Sequence, residues 1–208
     1  MITSYLPEMI FPGIWKYKNV FDPKFNVISK IENEVANNEI LWQKATVGLE
    51  ETDISYRDCF DFKLSDLGKS HEIYNYIYDA QLPAVNHYCS MYNIQMNFWE
   101  WTNVVKYKKN QYFKEHSDHG WSYVSTVSLV GYPNDNYEGG ELYFPKLNIN
   151  IKPAAGDLYI FPSTYLFSHV AMPVRSGEKY SFVTMLDYND DTHTEEYENY
   201  IDRKYGKK

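Results

Sequence analysis

Cysteine is almost missing from this 208-residue chain, which contains only Cys59 and Cys89. Two isolated thiols form neither a disulfide framework nor a paired-cysteine metal site, and they suit a reducing compartment. Basic residues are in the minority, 20 Lys and Arg against 28 Asp and Glu, a net charge of −8. Nucleic acid is therefore not expected as a partner, because neutralising phosphates takes a basic face. No apolar run is long enough to span a bilayer. The opening "MITSYLPEMIFPGIW" lacks the basic stretch and apolar core of a secretory leader. A cytoplasmic protein with no membrane attachment is the expectation. Histidine is scarce too, 6 in all, so where it falls is informative.

Aromatic residues are abundant, 18% of the chain with 21 Tyr. Tyrosine covers apolar area while keeping a hydroxyl for hydrogen bonding, so a core built partly on Tyr is expected. The length suits one domain over residues 1–208.

Residues 1–20 are punctuated by proline and read as one strand. "FDPKFNVISKIENEVANN" reads as a helix, with Asp22 as its cap, Pro23 in its first turn and Val27, Ile28, Ile31 and Val35 on one face. A second helical stretch begins at Lys69, capped by Ser70 and kinked or split at Pro83. Together these make a helical support over about 20–93. After Asn93 the texture changes to short β-rich runs separated by Gly and Pro. In "LNINIK", Leu147, Ile149 and Ile151 alternate with polar residues, the period of a strand with one buried face. Mainly-β (α+β) architecture follows, a sandwich or jelly roll over about 94–188 packed against the N-terminal helices. The polar stretch 189–208 reads as a solvated tail, His193 included.

Two of the six histidines fall in "YFKEHSDHGWSY", as His116 and His119 around Asp118. In a strand, residues i and i+2 share a face, so His116 and Asp118 converge while His119 turns away. Taken alone, this pair is also what an exposed hydrogen-bonded loop presents. A third ligand would come from His71, His87, His169 or His193; His169 follows the apolar run "GDLYIFPSTYLFSH", which delivers it to the interior. Two His and one carboxylate on one face of an octahedron suit non-haem Fe(II). Ten positions after His169 stands Lys179, on an apolar strand where a buried cation needs an anion unless it snorkels to the surface.

These motifs together resemble the 2-oxoglutarate- and Fe(II)-dependent dioxygenase superfamily in its prolyl-4-hydroxylase-like branch. The branch carries His-x-Asp and then a distal His in an H-x-x-x-P-V-x-x-G-x-K setting. Here that reads His169, Pro173, Val174, Gly177 and Lys179. Tyr107 precedes His116 by nine residues and Gln111 follows Tyr107 by four, as in the branch. "YPNDNYEGGEL" and "AGDLYIFPS" are similar to two further branch segments, so the likeness spans about 100–188.

The resemblance implies a double-stranded β-helix fold. It implies Fe(II) held by His116, Asp118 and His169, which are then the catalytic residues. It also implies 2-oxoglutarate held by Lys179 with Tyr107 and Ser181, O₂ as oxidant and ascorbate as accessory reductant. The implied activity couples decarboxylation of 2-oxoglutarate, to succinate and CO₂, with hydroxylation of a C–H bond. The substrate would be a prolyl or other residue in a peptide, or a small amino-acid-like molecule. Arg57, Trp121 and Arg175 are the candidate substrate contacts; Arg57 also reads as a surface ion pair, Trp121 as core or rim packing and Arg175 as a solvated turn. The chain departs from peptide hydroxylases at Phe113, where they have a second Tyr, at Tyr180, where they have Trp, and at Asn110, where they have Gly. A non-catalytic jelly-roll binding module and a Zn-type hydrolytic or isomerising enzyme with the same ligands are the alternatives.

Overall fold

A computed structural model of the chain describes residues 6–47, 52–120, 124–194 and 204. The N-terminal part contributes β1 (Leu6–Phe11), β2 (Ile14–Lys18), helix α1 (Val27–Ala36), β3 (Gln43–Lys44), β4 (Arg57–Asp58), β5 (Phe60–Lys63) and helix α2 (Glu72–Tyr92). The middle contributes β6 (Phe98–Tyr107), β7 (Tyr112–His116), β8 (Val127–Tyr132), β9 (Glu138–Gly139), β10 (Leu142–Phe144) and β11 (Ile149–Ile151). Then come β12 (Asp157–Pro162), β13 (His169–Ala171), β14 (Val174–Ser176) and β15 (Lys179–Asp187).

Eight of these strands form an antiparallel sheet in the order β1-β2-β12-β8-β15-β6-β5-β3. Five more form a second sheet, β11-β10-β13-β7-β4, and β14 pairs with β9. This is the expected jelly-roll architecture. Strand alternation divides the large sheet into two working faces. Leu129, Leu158, Ile160, Phe182 and Leu186 pack with Ile31, Ile73, Ile77 and Val85 of the two helices. The intervening Val130, Tyr132, Tyr159 and Phe161 point the other way and pack with Leu142, Phe144 and Ile151 of the small sheet. Helices thus back one face, and the second sheet covers the other.

Several details differ from the sequence expectations. Residues 6–18 form a hairpin of two strands, not one, because Pro12 and Gly13 (φ 96°) turn the chain. The 20–93 segment is not purely a helical support: β3 and β5 extend the large sheet and β4 edges the small one. Asp22 caps a short 3₁₀ turn, Pro23–Phe25, and α1 starts afresh after Asn26 in the left-handed conformation. His71, not Ser70, caps α2, its ring accepting from the Ile73 N–H, and the helix runs unbroken through Pro83. Leu147 lies in a 3₁₀ turn, and only Ile149–Ile151 is strand. His193 is not solvated: its side chain is 9% exposed and set between the carboxylates of Glu100 (2.9 Å) and Asp187 (3.3 Å).

Packing behind the large sheet leaves no slack at Gly131 on β8. A Cβ there would lie 2.5 Å from Phe21 Cε2, and Phe21 is itself set edge-on to Phe182. Gly131→Ala should destabilise the fold by about 1–3 kcal/mol through overpacking. Urea denaturation should show a lower midpoint at unchanged slope; an unaltered midpoint would mean the helical layer yields freely.

Candidate active site

The pairing of β7 with β13 sets His116 directly opposite His169 across the small sheet. Asp118 lies two residues beyond the end of β7, in a bend. It therefore reaches the two rings through the turn after the strand and not by strand alternation; the convergence is as expected, but its cause is not. One ligand atom from each of the three residues lies within 4.8 Å of the others. His119 goes elsewhere, its Nδ1 meeting Ser125 O at 2.7 Å and its backbone N–H donating to Ser163 O.

The protonation pattern follows from the hydrogen bonds. His116 Nδ1 meets Lys114 O at 2.8 Å and His169 Nδ1 meets Phe167 O at 3.2 Å. A carbonyl only accepts, so Nδ1 donates in each ring, and in the neutral imidazole Nε2 carries a lone pair. Those Nε2 atoms face Asp118, at 3.6 Å from Oδ1 and 3.9 Å from Oδ2. Burial, and then His169 beside it, push His116 down to about 3, which keeps its ring neutral. Asp118 is 5% exposed at its side chain, and its Oδ2 has no hydrogen-bond partner. A buried carboxylate oxygen and two lone pairs aimed at one point lack only a cation. These donors, two imidazole nitrogens and a carboxylate with the rest of the sphere open, fit Fe(II).

The cavity beside this cluster is lined from both sheets, with Asn103, Val105 and Tyr107 of β6 and Lys179, Ser181 and Val183 of β15 among its walls. Lys179 is 2% exposed, sits opposite Tyr107 in the β6–β15 register and donates to Gly140 O at 2.9 Å. Its ammonium lies 4.9 Å from the Tyr107 ring centre and 5.2 Å from that of Tyr132. Gly140 has φ 64°, and a Cβ there would meet Lys179 Cδ at 2.9 Å, so the Gly139–Gly140 turn makes room for the lysine stem. Among the described residues no carboxylate pairs with Lys179. Burial, and then Lys152, push its pKa down to about 7. A buried cation with two aromatic walls and no counterion suits one end of a small dicarboxylate. Ser181 lines the same cavity one alternation along β15.

Arg57 on β4 lines the cavity from the small sheet, whereas Arg175 does not. Arg175 is 66% exposed at its side chain and lies 3.6 Å from Glu141. Trp121 lies outside the described residues. Sequence reasoning missed Tyr132, Asn103 and Met185, which also line the cavity. Tyr132 opens the "YPND" segment and so carried a local signal. Asn103 and Met185 carried none, since the pairings of β15 with β6 and β8 turn them inward. Asn110 has φ 69°, a left-handed conformation that asparagine tolerates better than most residues.

Residues 102–186 match the family model of the 2OG-Fe(II) oxygenase superfamily. That segment, which carries His116, Asp118, His169 and Lys179, is therefore similar to members of this superfamily. Over 120 residues the chain is 32% identical to "Putative prolyl 4-hydroxylase" of Acanthamoeba polyphaga mimivirus, covering 47% of this chain and 49% of that protein. It is 40% identical over 83 residues to a PKHD-type hydroxylase of Prochlorococcus marinus, 36% of each chain. The alignments thus span half or less of these curated relatives. Among solved structures, a prolyl hydroxylase from Trichoplax adhaerens in complex with a hypoxia inducible factor peptide superposes with TM-score 0.71 at 16% identity, over 85% of this chain and 84% of that one. A Pseudomonas putida prolyl-4-hydroxylase gives TM-score 0.70 at 17% identity, over 84% and 92%. At such identities the superpositions show a shared fold.

If the three converging groups await a cation, divalent metal should stabilise the metal-free protein. At a hundredfold excess over Kd, the melting temperature should rise by roughly 5–10 °C. His119→Ala should keep the rise and His116→Ala should lose it. The reverse ranking, read by thermal shift with Mn(II) or Fe(II) under argon, would place the ligand at His119.

Proposed function

We propose that the protein is a 2-oxoglutarate- and Fe(II)-dependent hydroxylase acting on a C–H bond of a peptide residue or a small amino-acid-like molecule. One observation carries this reading: a single cavity joins an unpaired carboxylate with two imidazole lone pairs at one place and an unpaired buried lysine at another. A zinc hydrolase has use for the first and none for the second. A binding module without chemistry has no reason to keep either, since each is costly unfilled.

His116, Asp118 and His169 hold Fe(II), which supplies, with 2-oxoglutarate and O₂, the coupling of decarboxylation to hydroxylation. Lys179 takes the distal carboxylate of 2-oxoglutarate, supported by Tyr107 and Ser181. That pairing fixes how far the keto acid reaches toward the metal ligands. Val105, Val130, Leu142 and Val183 wall the cavity with apolar surface and keep water from the reacting groups. Asp118 would balance part of the charge of a metal held there. The catalytic unit is one domain, in which the 20–93 segment supports the 94–188 core. Both cysteines are free, and among the described residues no helix is long and apolar enough to cross a membrane. These features support a cytoplasmic setting, where ascorbate can serve as reductant.

Uncoupled turnover tests the reading without a known substrate. Succinate should form from 2-oxoglutarate in the presence of Fe(II) and O₂, and should drop to background in His116→Ala. No difference between the two proteins would refute the oxygenase assignment.

Lys179 makes the affinity pH-dependent. With a pKa of about 7 in the free protein, it is charged below that pH and neutral above. A carboxylate binds the charged form, so binding above pH 7 takes up a proton. The Kd for 2-oxoglutarate should be flat below about pH 7 and climb about tenfold per pH unit above it. Lys179→Arg should flatten the profile, while Lys179→Ala should give a flat profile with a Kd roughly two orders of magnitude above the wild-type value below pH 7, the gap closing as the pH rises. A wild-type Kd that does not vary between pH 6 and 9 would show that Lys179 is not the anchor.

A further inference from the structure

Two ammonium groups converge on one tight turn. Lys179, buried in the cavity wall, donates to Gly140 O at 2.9 Å. Lys152, exposed just past the end of β11, donates to Gly139 O at 2.6 Å and to Tyr137 O at 3.1 Å. The two lysines thus hold the carbonyls of adjacent residues. Tyr137 flanks both of them. Its ring centre lies 3.9 Å from the Lys152 ammonium, and a Cβ on Gly140 would meet Tyr137 Cε2 at 3.0 Å and Lys179 Cδ at 2.9 Å. Among the described residues neither lysine pairs with a carboxylate. Like charges that share a turn repel, and carbonyls and a tyrosine ring orient an ammonium without cancelling its charge.

The other groups that face Lys179 leave Lys152 as the cation acting on it. Burial pushes up Tyr107 on β6, Tyr132 on β8 and Tyr137 just before β9, so all three stay neutral. Burial pushes up the Cys59 thiol between β4 and β5 as well. Glu141, ahead of β10, is negative but lies 3.6 Å from Arg175. Glu178, the chain neighbour of Lys179, pairs with Lys106 at 3.3 Å. A positive charge beside Lys179 penalises its protonated form, which is the form a carboxylate needs. Burial is the larger influence on Lys179, and Lys152 is the next. Lys152 does not line the cavity, so whatever it does to a ligand there passes through Lys179 and the turn. Resting on the oxygenase reading above, we propose that Lys152 is a positioning residue for the co-substrate anchor: it fixes the Gly139–Gly140 turn that orients Lys179, and its charge sets the upper pH limit of 2-oxoglutarate binding. Neutralising Lys152 removes the repulsion, and Lys179 then keeps its proton to higher pH.

The test measures the Kd of the Mn(II)-loaded protein for 2-oxoglutarate by calorimetry between about pH 6 and pH 9. In the wild type the Kd should begin to climb near pH 7. Lys152→Gln keeps an N–H donor and removes the charge, so its climb should begin about half a pH unit higher. Lys152→Met removes the donor too. It should show the same displacement together with a further weakening of roughly threefold to tenfold at every pH, through the loosened turn. Lys152→Arg keeps both features and should follow the wild type. A merely structural lysine would raise the Kd in the first two variants without moving the pH at which the climb begins. A ligand-free titration of Lys179, followed by carbon NMR of lysine-labelled protein and identified by the signal lost in Lys179→Arg, should show the same half-unit rise in Lys152→Gln. A climb that begins at the wild-type pH in Lys152→Gln, or that is displaced as far in Lys152→Arg, would overturn the proposal and leave the oxygenase reading standing. A wild-type protein that takes up no 2-oxoglutarate at any pH with Mn(II) bound would remove that reading and the proposal with it.

Discussion

A carboxylate oxygen without a donor and two imidazole lone pairs share one small volume in this protein. Nothing within the described side chains relieves that arrangement, and left to itself it would spread apart. It persists because the backbone imposes it. His116 and His169 face each other as registered partners of β7 and β13, and each ring is held by a carbonyl two residues before it, Lys114 O and Phe167 O. Outside the cavity, Lys146, Ser168 and Glu115 form a further tie between the same two strands, with Ser168 donating to Glu115 at 2.7 Å. The small sheet can hold this geometry only because the large sheet backs it. The large sheet is in turn stiffened by α1 and α2 on its far face.

The cavity has a second unpaired charge of opposite sign. Lys179 is held in the cavity wall by Gly140 O and two tyrosine rings, contacts that orient an ammonium without neutralising it. Separating these charges by apolar walls keeps both strong, since the interior screens far less than water. Each end is therefore poised for a partner of defined charge, a metal at one and a carboxylate at the other. Arg57 is different in kind. Its charge is cancelled by Asp61, and it contributes donors without a net field. Preorganised groups of all three sorts raise specificity because an ill-fitting ligand leaves at least one of them buried and unpaired.

Much of this was legible in the residue order. The His-x-Asp pair, the distal His and the lysine ten positions on are local spacings, and a local spacing survives in a linear text. The β-rich texture after Asn93 and the apolar stripe of α1 were readable for the same reason, since alternation and helical periodicity are properties of neighbours.

What depended on distant partners was not readable. Asp118 meets the histidines through a bend beyond β7, not by the alternation that pointed to the pair. Arg57 and Arg175 looked alike as candidate substrate contacts. Pairing of β4 with β7 turns Arg57 into the cavity, while Arg175 ends up exposed on β14. Asn103, Tyr132 and Met185 become cavity residues through the pairings of β15 with β6 and β8, strands far apart in the chain. His193, polar in a polar stretch, is buried because Glu100 on β6 and Asp187 at the end of β15 both reach it. Residue types and their short-range spacing thus pointed to the candidate ligands and to the buried lysine. Register between remote strands settled which of the eligible side chains face the site, because direction on a sheet is set by the partner strand as much as by the residue itself.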